Sequence, residues 1–274
     1  FWQATALVAV AAALCALVGS FLMLRRMTLL SDAVSHSVLP GVVIGYMVGG
    51  YATWAFLGGA VASGLTCVFL VGWLTRHTRL KEDAAMGVVF TALFALGIVL
   101  LSRLRSVDLD PGCVIYGEAL AARPGSLELA VGILIVAVVA LLLGYKQLAL
   151  SSFDPQQARV IGMPTTWIHY GLLAMLALAT VAALRAVGIV LAIAFFVTPA
   201  ATAFLLTRRL PPLLATAVGL AVVESVAGMA IAVVVNANPS GVTAALSLGV
   251  FLTLLVAQLL LRRTRRPAQP QPSF

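Results

Sequence analysis

Charged residues are scarce in this sequence, and their scarcity excludes most soluble proteins. Of its 274 residues, 9% are charged and 62% are hydrophobic, whereas soluble domains carry about 25% charged residues. No polar stretch is long enough to hold a separate soluble domain. We therefore expect an all-α polytopic membrane protein, because backbone polar groups in lipid must be paired within a helix.

Several catalytic and metal-binding motifs are missing as well. The cysteines Cys15, Cys67 and Cys113 form no CxxC pair, which argues against a thiolate metal site or a disulfide framework. The sequence has no HExxH motif of a zinc protease. Neither Lys81 nor Lys146 lies in a G-x-x-x-x-G-K-[ST] loop, so the chain lacks that route to ATP hydrolysis. We expect a protein that is not an enzyme and holds no permanent cofactor.

Long apolar runs occupy most of the chain. Each is close to the roughly 20 residues that a membrane-spanning helix needs, which predicts eight or nine such helices. Pro40 and Pro199 lie inside two of the runs, so we expect those two helices to be broken. The runs cover residues 4–24, 30–50, 53–74, 84–101, 126–145, 166–184, 187–206, 212–235 and 242–261.

The positions of the basic residues predict the orientation. With the N-terminus outside and nine crossings, the outer loops contain Arg103, Arg105, Arg123 and Arg185, and all the other lysines and arginines of the 17 fall on the cytoplasmic side. This bias follows the positive-inside rule and places the C-terminus in the cytoplasm. The net charge of +8 therefore reflects topology, and we expect lipid, not nucleic acid, as the surrounding partner.

We expect one transmembrane domain over 1–261. Within it, 152–164 reads SFDPQQARVIGMP, and its Asp-Pro start and Gly and Pro stop predict a short cytoplasmic helix. Such a helix would serve as a contact for a motor protein. An acidic outer loop at 102–123 could face an external partner, and the basic, Pro/Gln-rich tail at 262–274 is typical of a disordered end.

Asp32 and His36 are the residues best suited to bind a cation. An ionisable group at the centre of a span costs about 2.5–3.5 kcal/mol, so it usually has a function. Four residues apart, the two lie on one helical face, one turn apart. A carboxylate with an imidazole suits Mn, Fe or Zn, whereas Mg and Ca prefer oxygen ligands. The structural alternative is that Asp32 caps the helix and His36 bonds a neighbouring helix.

Two ligands from one chain are too few for a good metal site. A two-fold dimer would supply two aspartates and two histidines, and a site completed by water within one protomer is the alternative.

Glu224 is the other deep acid. It could be a second ion contact, or a partner for Arg185 or for a serine such as Ser225, and structural pairing is the favoured interpretation.

Three hydroxyl side chains are candidates for lining a path. Thr198 and Thr202 flank Pro199, although threonines also satisfy backbone groups that a proline leaves free. Ser35 lies beside His36 in the sequence.

Six stretches carry a resemblance to a known family. The most specific are the Asp-x-x-x-His before Leu-Pro-Gly and the Val-Thr-Pro-Ala-Ala-Thr stretch. The six stretches lie at 29–49, 82–102, 108–118, 152–164, 185–210 and 238–241. Together they resemble the permease subunits of ATP-binding-cassette importers for manganese, zinc or iron.

The resemblance implies a homodimeric, multi-pass permease of the bacterial cytoplasmic (inner) membrane. It also implies two cytoplasmic ATPase subunits that use ATP, and an extracytoplasmic metal-binding protein that delivers the ion. It assigns Asp32 and His36 to metal contact in the translocation path, as a gate. The segment that couples to the ATPase is then represented by Phe153, Asp154, Pro155, Ala158, Arg159 and Gly162.

The sequence departs from the family at two places. The family often has an acid shortly before Pro-Ser-Gly, where this chain has Asn236 and Asn238, and Glu224 is not a family hallmark.

The stretch DLDPGCVIYGE at 108–118 is more similar to the manganese-type members than to the zinc-type ones. We therefore expect Mn²⁺ as the transported ion, with Zn²⁺ or Fe²⁺ as alternatives. The same ligands would bind Zn more tightly, so selectivity must come from geometry or from the delivering protein. The competing hypotheses are a gradient-driven metal carrier that acts without an ATPase and, less favoured, an intramembrane enzyme.

Overall fold

The computed structural model describes residues 2–50, 52–103 and 126–264, and this part of the chain is helical with short connections. Ten helices follow one another along it. They are α1 (Trp2–Leu24), α2 (Leu29–Ser37), α3 (Leu39–Gly49), α4 (Thr53–His77), α5 (Glu82–Arg103), α6 (Ser126–Phe153), α7 (Pro155–Val160), α8 (Thr165–Leu206), α9 (Leu210–Val235) and α10 (Pro239–Thr264).

Within these ranges, 9 helices or helix pairs are long and apolar enough to cross a membrane. Helices α2 and α3 together form one span, and α8 provides two, Thr165–Leu184 and Ala186–Leu206. The expectation of eight or nine spans is confirmed. The acidic outer loop and the far end of the basic tail lie outside the described residues, so the predictions for them stand untested.

Helix α1 lies at the centre of the bundle, where it packs against α6, α8 and α9. It is rich in alanine, and most of its side chains from Leu7 to Leu22 are buried. Gly19 approaches α8 so closely that a Cβ atom would collide with the carbonyl oxygen of Phe196. Small residues permit such contacts in lipid, where burying apolar surface does not by itself drive helices together. Helix α10, in contrast, exposes most of its apolar side chains, as expected of a lipid-facing helix.

The span formed by α2 and α3 is interrupted at Val38, where α2 has ended at Ser37 and α3 begins at Leu39. Pro40 occupies the start of α3, where it has no N–H to donate to the His36 carbonyl. The break is held from outside the span, because the Ser63 hydroxyl of α4 donates to the Ser37 carbonyl over 2.6 Å. The expected break near Pro40 is present.

The second expected break, at Pro199, is not present. Helix α8 continues through Pro199, and its backbone leaves helical geometry at Gly188, with φ 79° and ψ 175°. A proline removes one backbone hydrogen bond and can be tolerated within a helix. The conformation at Gly188 is one that glycine adopts and other residues rarely do. The boundary that the sequence predicts between the runs 166–184 and 187–206 is confirmed, whereas the additional break expected at Pro199 is wrong.

Four connections meet at one end of the bundle, which we call the basic end: residues 25–28, 78–81, 161–164 and 207–209. Arg25 bonds Ser151 and Ser152 there. The Arg76 guanidinium lies 5.2 Å from the centre of the Tyr170 ring. The basic end therefore has its own interhelical contacts.

Candidate functional site

Helix α2 brings Asp32 and His36 together. Asp32 lies in its first turn and His36 in its last. The Nε2 atom of His36 is 3.4 Å from Oδ1 of Asp32, and the exposed fractions of the two side chains are 30% for His36 and 50% for Asp32. Both groups are therefore partly accessible from outside the protomer.

Two phenylalanines of α5 form the wall beside His36. The imidazole centre lies 5.4 Å from the ring centre of Phe90 and 5.6 Å from that of Phe94. The two phenylalanine rings are 5.9 Å apart and nearly parallel. Sequence reasoning missed this contact, although the i,i+4 spacing of the two residues places them on one face of α5.

The serine hydroxyls of α2 satisfy nearby backbone. Ser35 is buried, and its hydroxyl donates to the Ser31 carbonyl over 2.8 Å. The Ser31 and Ser37 hydroxyls likewise donate to carbonyls of the same turn, those of Thr28 and Val34. Ser35, a candidate for lining a path, is therefore buried with its proton engaged by its own helix.

The threonines beside Pro199 are arranged similarly. Thr202 is buried, and its hydroxyl donates to the Thr198 carbonyl over 2.8 Å. Thr198 is partly exposed on the same half of α8. Both threonines belong to α8, and this helix packs against α2, which carries Asp32 and His36.

Glu224 lies at a different helix contact. It is buried on α9, where Oε2 accepts a 2.6 Å hydrogen bond from the Ser247 hydroxyl of α10. The hydroxyl of Ser225, which sequence reasoning offered as a partner, donates instead to the Val222 carbonyl. Oε1 of Glu224 has no hydrogen-bond partner within the described part of the chain.

Glu224 does not complete a cation site with Asp32 and His36 inside one protomer. Across residues 2–50, 52–103 and 126–264, no group of three or more His, Cys, Asp or Glu side chains could hold a metal. One protomer therefore places one carboxylate and one imidazole together on α2.

The segment 152–164 forms a capped single-turn helix at the basic end. Asp154 accepts from the backbone N–H groups of Gln156 and Gln157, and Pro155 follows as the first helical residue. Gly162 ends the turn with φ 79°. Asp, Pro and Gly at these positions are the residues that start and stop a helix.

The side chains of this segment are divided between packing and exposure. Ala158 is buried, Arg159 is exposed, and the large apolar groups Phe153 and Val160 are 62% and 87% exposed. Phe153 is the last residue of a candidate span, and Val160 lies beyond it; exposed apolar side chains at such positions are typical of protein or membrane contacts.

The fold and the site define a class of protein: a polytopic helical membrane protein with a carboxylate–imidazole pair in a broken span. The sequence model described as "ABC 3 transport family" matches residues 1–258. The chain belongs to this family, and it is therefore a membrane subunit of an ABC transporter. The resemblance inferred from the sequence is confirmed.

Several relatives of the chain are named for metal transport. One is the manganese transport system membrane protein MntC of Halalkalibacterium halodurans, 43% identical over 81% of this chain and 74% of the relative. Another is the chelated iron transport system membrane protein YfeD of Yersinia pestis, 38% identical over 78% of this chain and 70% of the relative.

A solved structure has the same architecture. The chain is similar to one in "PsaBC from Streptococcus pneumoniae in complex with Fab", with a TM-score of 0.85, 29% identity and coverage of 96% of this chain and 95% of that one.

Proposed function

We propose that this chain is the permease subunit of an ABC importer that carries a divalent transition-metal ion into the cytoplasm. Mn²⁺ is the ion we favour. The observation that carries the proposal is the 3.4 Å pair of Asp32 and His36 in the broken span. A carboxylate oxygen and an imidazole nitrogen together select transition metals over Mg²⁺ and Ca²⁺. Relatives named for manganese and for chelated iron support the ion class.

The site is proposed to be shared between two copies of the chain. Half of the Asp32 side chain is exposed, and an ionisable group facing lipid is costly. A two-fold partner would cover this face and would double the donors to two carboxylates and two imidazoles, a plausible four-ligand set. Water completing the site within one protomer is the alternative.

The basic end is proposed to face the cytoplasm. Arg25, Arg76, Lys81 and Arg209 lie there, and lysine and arginine accumulate on the cytoplasmic side of membrane proteins. The exposed 152–164 segment would then meet the ATPase subunits, two of which power the assembly. An extracytoplasmic protein would deliver the ion at the other end.

The transport cycle follows from this arrangement. ATP binding closes the two ATPases, which push the 152–164 segment and open the outer end. The ion then passes Asp32 and His36 and leaves inward when the ATPases reset. The permease provides the path and the ligands, and ATP is hydrolysed by its partners.

The test is uptake of radiolabelled Mn²⁺ by the full assembly in vesicles, with ATP inside the compartment that the ATPases face. The variants Asp32→Asn and His36→Gln keep side-chain size and should lower uptake about ten-fold or more, since even outer partners of metal ligands are worth roughly 10–100-fold. The matched controls are Asp83→Asn and His77→Gln, which change exposed residues of the same types at helix ends.

Competition identifies the ion. Excess Mn²⁺ should suppress labelled uptake more than Zn²⁺ or Fe²⁺, and the reverse order would assign the chain to one of those ions. Normal uptake by the Asp32/His36 double variant would refute the site. Uptake that persists without the ATPases would indicate a gradient-driven carrier.

A further inference from the structure

The basic end contains a contact that joins two functional parts of the chain. Arg25, just after α1, points its guanidinium at the end of α6. Its Nη2 atom donates to the Ser151 hydroxyl over 2.7 Å, and its Nε atom donates to the Ser152 hydroxyl over 3.1 Å. We call these three residues the Arg25 bridge.

The bridge is built into the protein and is not a loose surface contact. Ser151 is buried and Arg25 is half-buried. Burial lowers the pKa of Arg25 from its ordinary value, but an arginine remains protonated in proteins. Ser151 in turn donates to the Leu148 carbonyl over 3.2 Å, so its oxygen is oriented to accept from the guanidinium.

On one side of the bridge the chain runs into α2 through a tight turn. Helix α1 ends with Arg26 in the left-handed conformation, φ 60°. The Met27 N–H then bonds the Leu22 carbonyl over 2.9 Å, and the Arg26 N–H bonds the Met23 carbonyl over 3.0 Å. This is the hydrogen-bond pattern of a Schellman motif. Met27 is buried behind it, so a hydrogen-bonded turn joins Arg25 to the start of α2.

On the other side of the bridge the chain runs directly into the 152–164 segment. Ser152 is its first residue, and Asp154 caps α7 two positions later. Helix α2, which follows the turn after Arg25, carries Asp32 in its first turn and His36 in its last. Two bonds from one guanidinium therefore link the segment exposed to a motor protein with the helix that holds the metal-candidate pair.

There is room for the end of α6 to move. A cavity of about 520 Å³ is lined by Leu24 and Phe153, the chain neighbours of Arg25 and Ser152. Thr207 and Arg208 of the α8–α9 connection also line it. A shift of Phe153 into this space would be transmitted through the bridge rather than blocked by packing.

We propose that Arg25 is a positioning residue for transport, which transmits movement of the 152–164 segment to α2 through Ser151 and Ser152. The inference rests on the proposed function. It adds to it the residue through which ATP-driven movement reaches the ion ligands. Arg25 does not touch the ion; it sets the position of the helix that does.

The experiment measures Mn²⁺ taken up per ATP hydrolysed by the full assembly in vesicles, together with the ATPase rate and the yield of assembled complex. Three variants are compared with the unaltered protein: Arg25→Gln, Arg25→Lys and the double variant Ser151→Ala/Ser152→Ala. The matched control is Arg26→Gln, which removes the adjacent, exposed arginine charge and leaves the bridge intact.

Arg25→Gln and the double serine variant should lower uptake per ATP about ten-fold, within the roughly 5–150-fold range typical of coupling between sites. Their ATPase rate and assembly should stay within about two-fold of the unaltered protein, because Arg25 and Ser151 lie outside the 152–164 segment and Ser152, its first residue, is only partly exposed. Arg25→Lys keeps the charge but loses the two-pronged geometry. Its uptake per ATP should lie between that of Arg25→Gln and that of the unaltered protein. Arg26→Gln should behave like the unaltered protein.

Each other result decides against the inference. Wild-type uptake per ATP in both Arg25→Gln and the double serine variant overturns it while the proposed function stands. Equal loss in Arg26→Gln makes the effect one of charge rather than of the bridge. If neither bridge variant assembles, the bridge is a folding contact and the inference is wrong. If the unaltered assembly shows no ATP-driven metal uptake, the proposed function itself fails.

Discussion

Gly41 and Gly59 bring α3 and α4 into backbone contact: a Cβ atom on either would collide with the carbonyl oxygen of the other. This contact lies one turn from the break at Val38 and so fixes where the broken span sits against α4. Glycine is required at both positions because no other residue lets the two backbones approach so closely.

Gly41→Ala should therefore destabilise the protein by at least the 1–3 kcal/mol or so that overpacking a tight contact costs. The measurement is the thermal midpoint of the detergent-solubilised chain. Gly58→Ala is the matched control, since a Cβ at Gly58 meets nothing within 4 Å. An equal effect at both positions would mean that the loss comes from helix chemistry and not from the α3–α4 contact.

Ser63 stabilises the break itself, because its hydroxyl donates to the Ser37 carbonyl. Ser63→Ala should lower the free energy of unfolding by about 1 kcal/mol, the usual net contribution of such a bond. Under the proposed function metal uptake should fall with it, because Ser37 directly follows His36 in α2. Thr66→Ala is the control: the Thr66 hydroxyl donates to its own helix, at Ala62. Unchanged stability in Ser63→Ala would show that the break needs no support from α4.

Arg26 adopts φ 60° at the end of α1, a conformation that costs an ordinary L-residue about 1–2 kcal/mol. Glycine avoids this cost but loses about 0.5–1 kcal/mol of chain entropy. Arg26→Gly should therefore raise the thermal midpoint modestly, with a net gain of about 0.5–1 kcal/mol. Arg26→Ala separates the two contributions, because it removes the charge but keeps the Cβ atom. A rise of the same size in Arg26→Ala would contradict the backbone explanation.

Two variants of Glu224 test whether its buried carboxyl group binds ions or joins helices. Glu224→Gln keeps an acceptor for the Ser247 hydroxyl and should leave both stability and uptake near those of the unaltered protein. Glu224→Leu leaves that hydroxyl without an acceptor and should cost about 1–3 kcal/mol. Loss of uptake by a well-folded Glu224→Gln protein would instead assign the carboxylate to the ion path.

Asp154 caps the short helix α7 with its side chain. Asp154→Ala should destabilise that turn by about 1 kcal/mol, whereas Asp154→Asn retains a good cap. Under the proposed function the first variant lowers uptake per ATP and the second does not. Hydrogen exchange of the Gln156 and Gln157 amides reports the cap directly. Equal exchange in the two variants would show that the side chain does not hold the turn.

The local features of this protein followed from its sequence. The number of spans could be predicted because the length of an apolar run is compared with a bilayer of known thickness. The Asp32–His36 pair could be predicted because an i,i+4 spacing fixes two side chains on one helix face. The cap at Asp154 and the stop at Gly162 depend on a few neighbouring residues and were also visible.

The tertiary structure decided how the helices meet. The Ser247 partner of Glu224, the Phe90 and Phe94 wall and the Arg25 bridge all join helices distant in sequence. In a water-soluble bundle, apolar periodicity would have indicated the packed faces, but lipid is as apolar as a helix contact, so here it does not distinguish them. The break expected at Pro199 was wrong for a related reason: a proline can be accommodated within a spanning helix, and only the packed chain shows that this one leaves the helix intact.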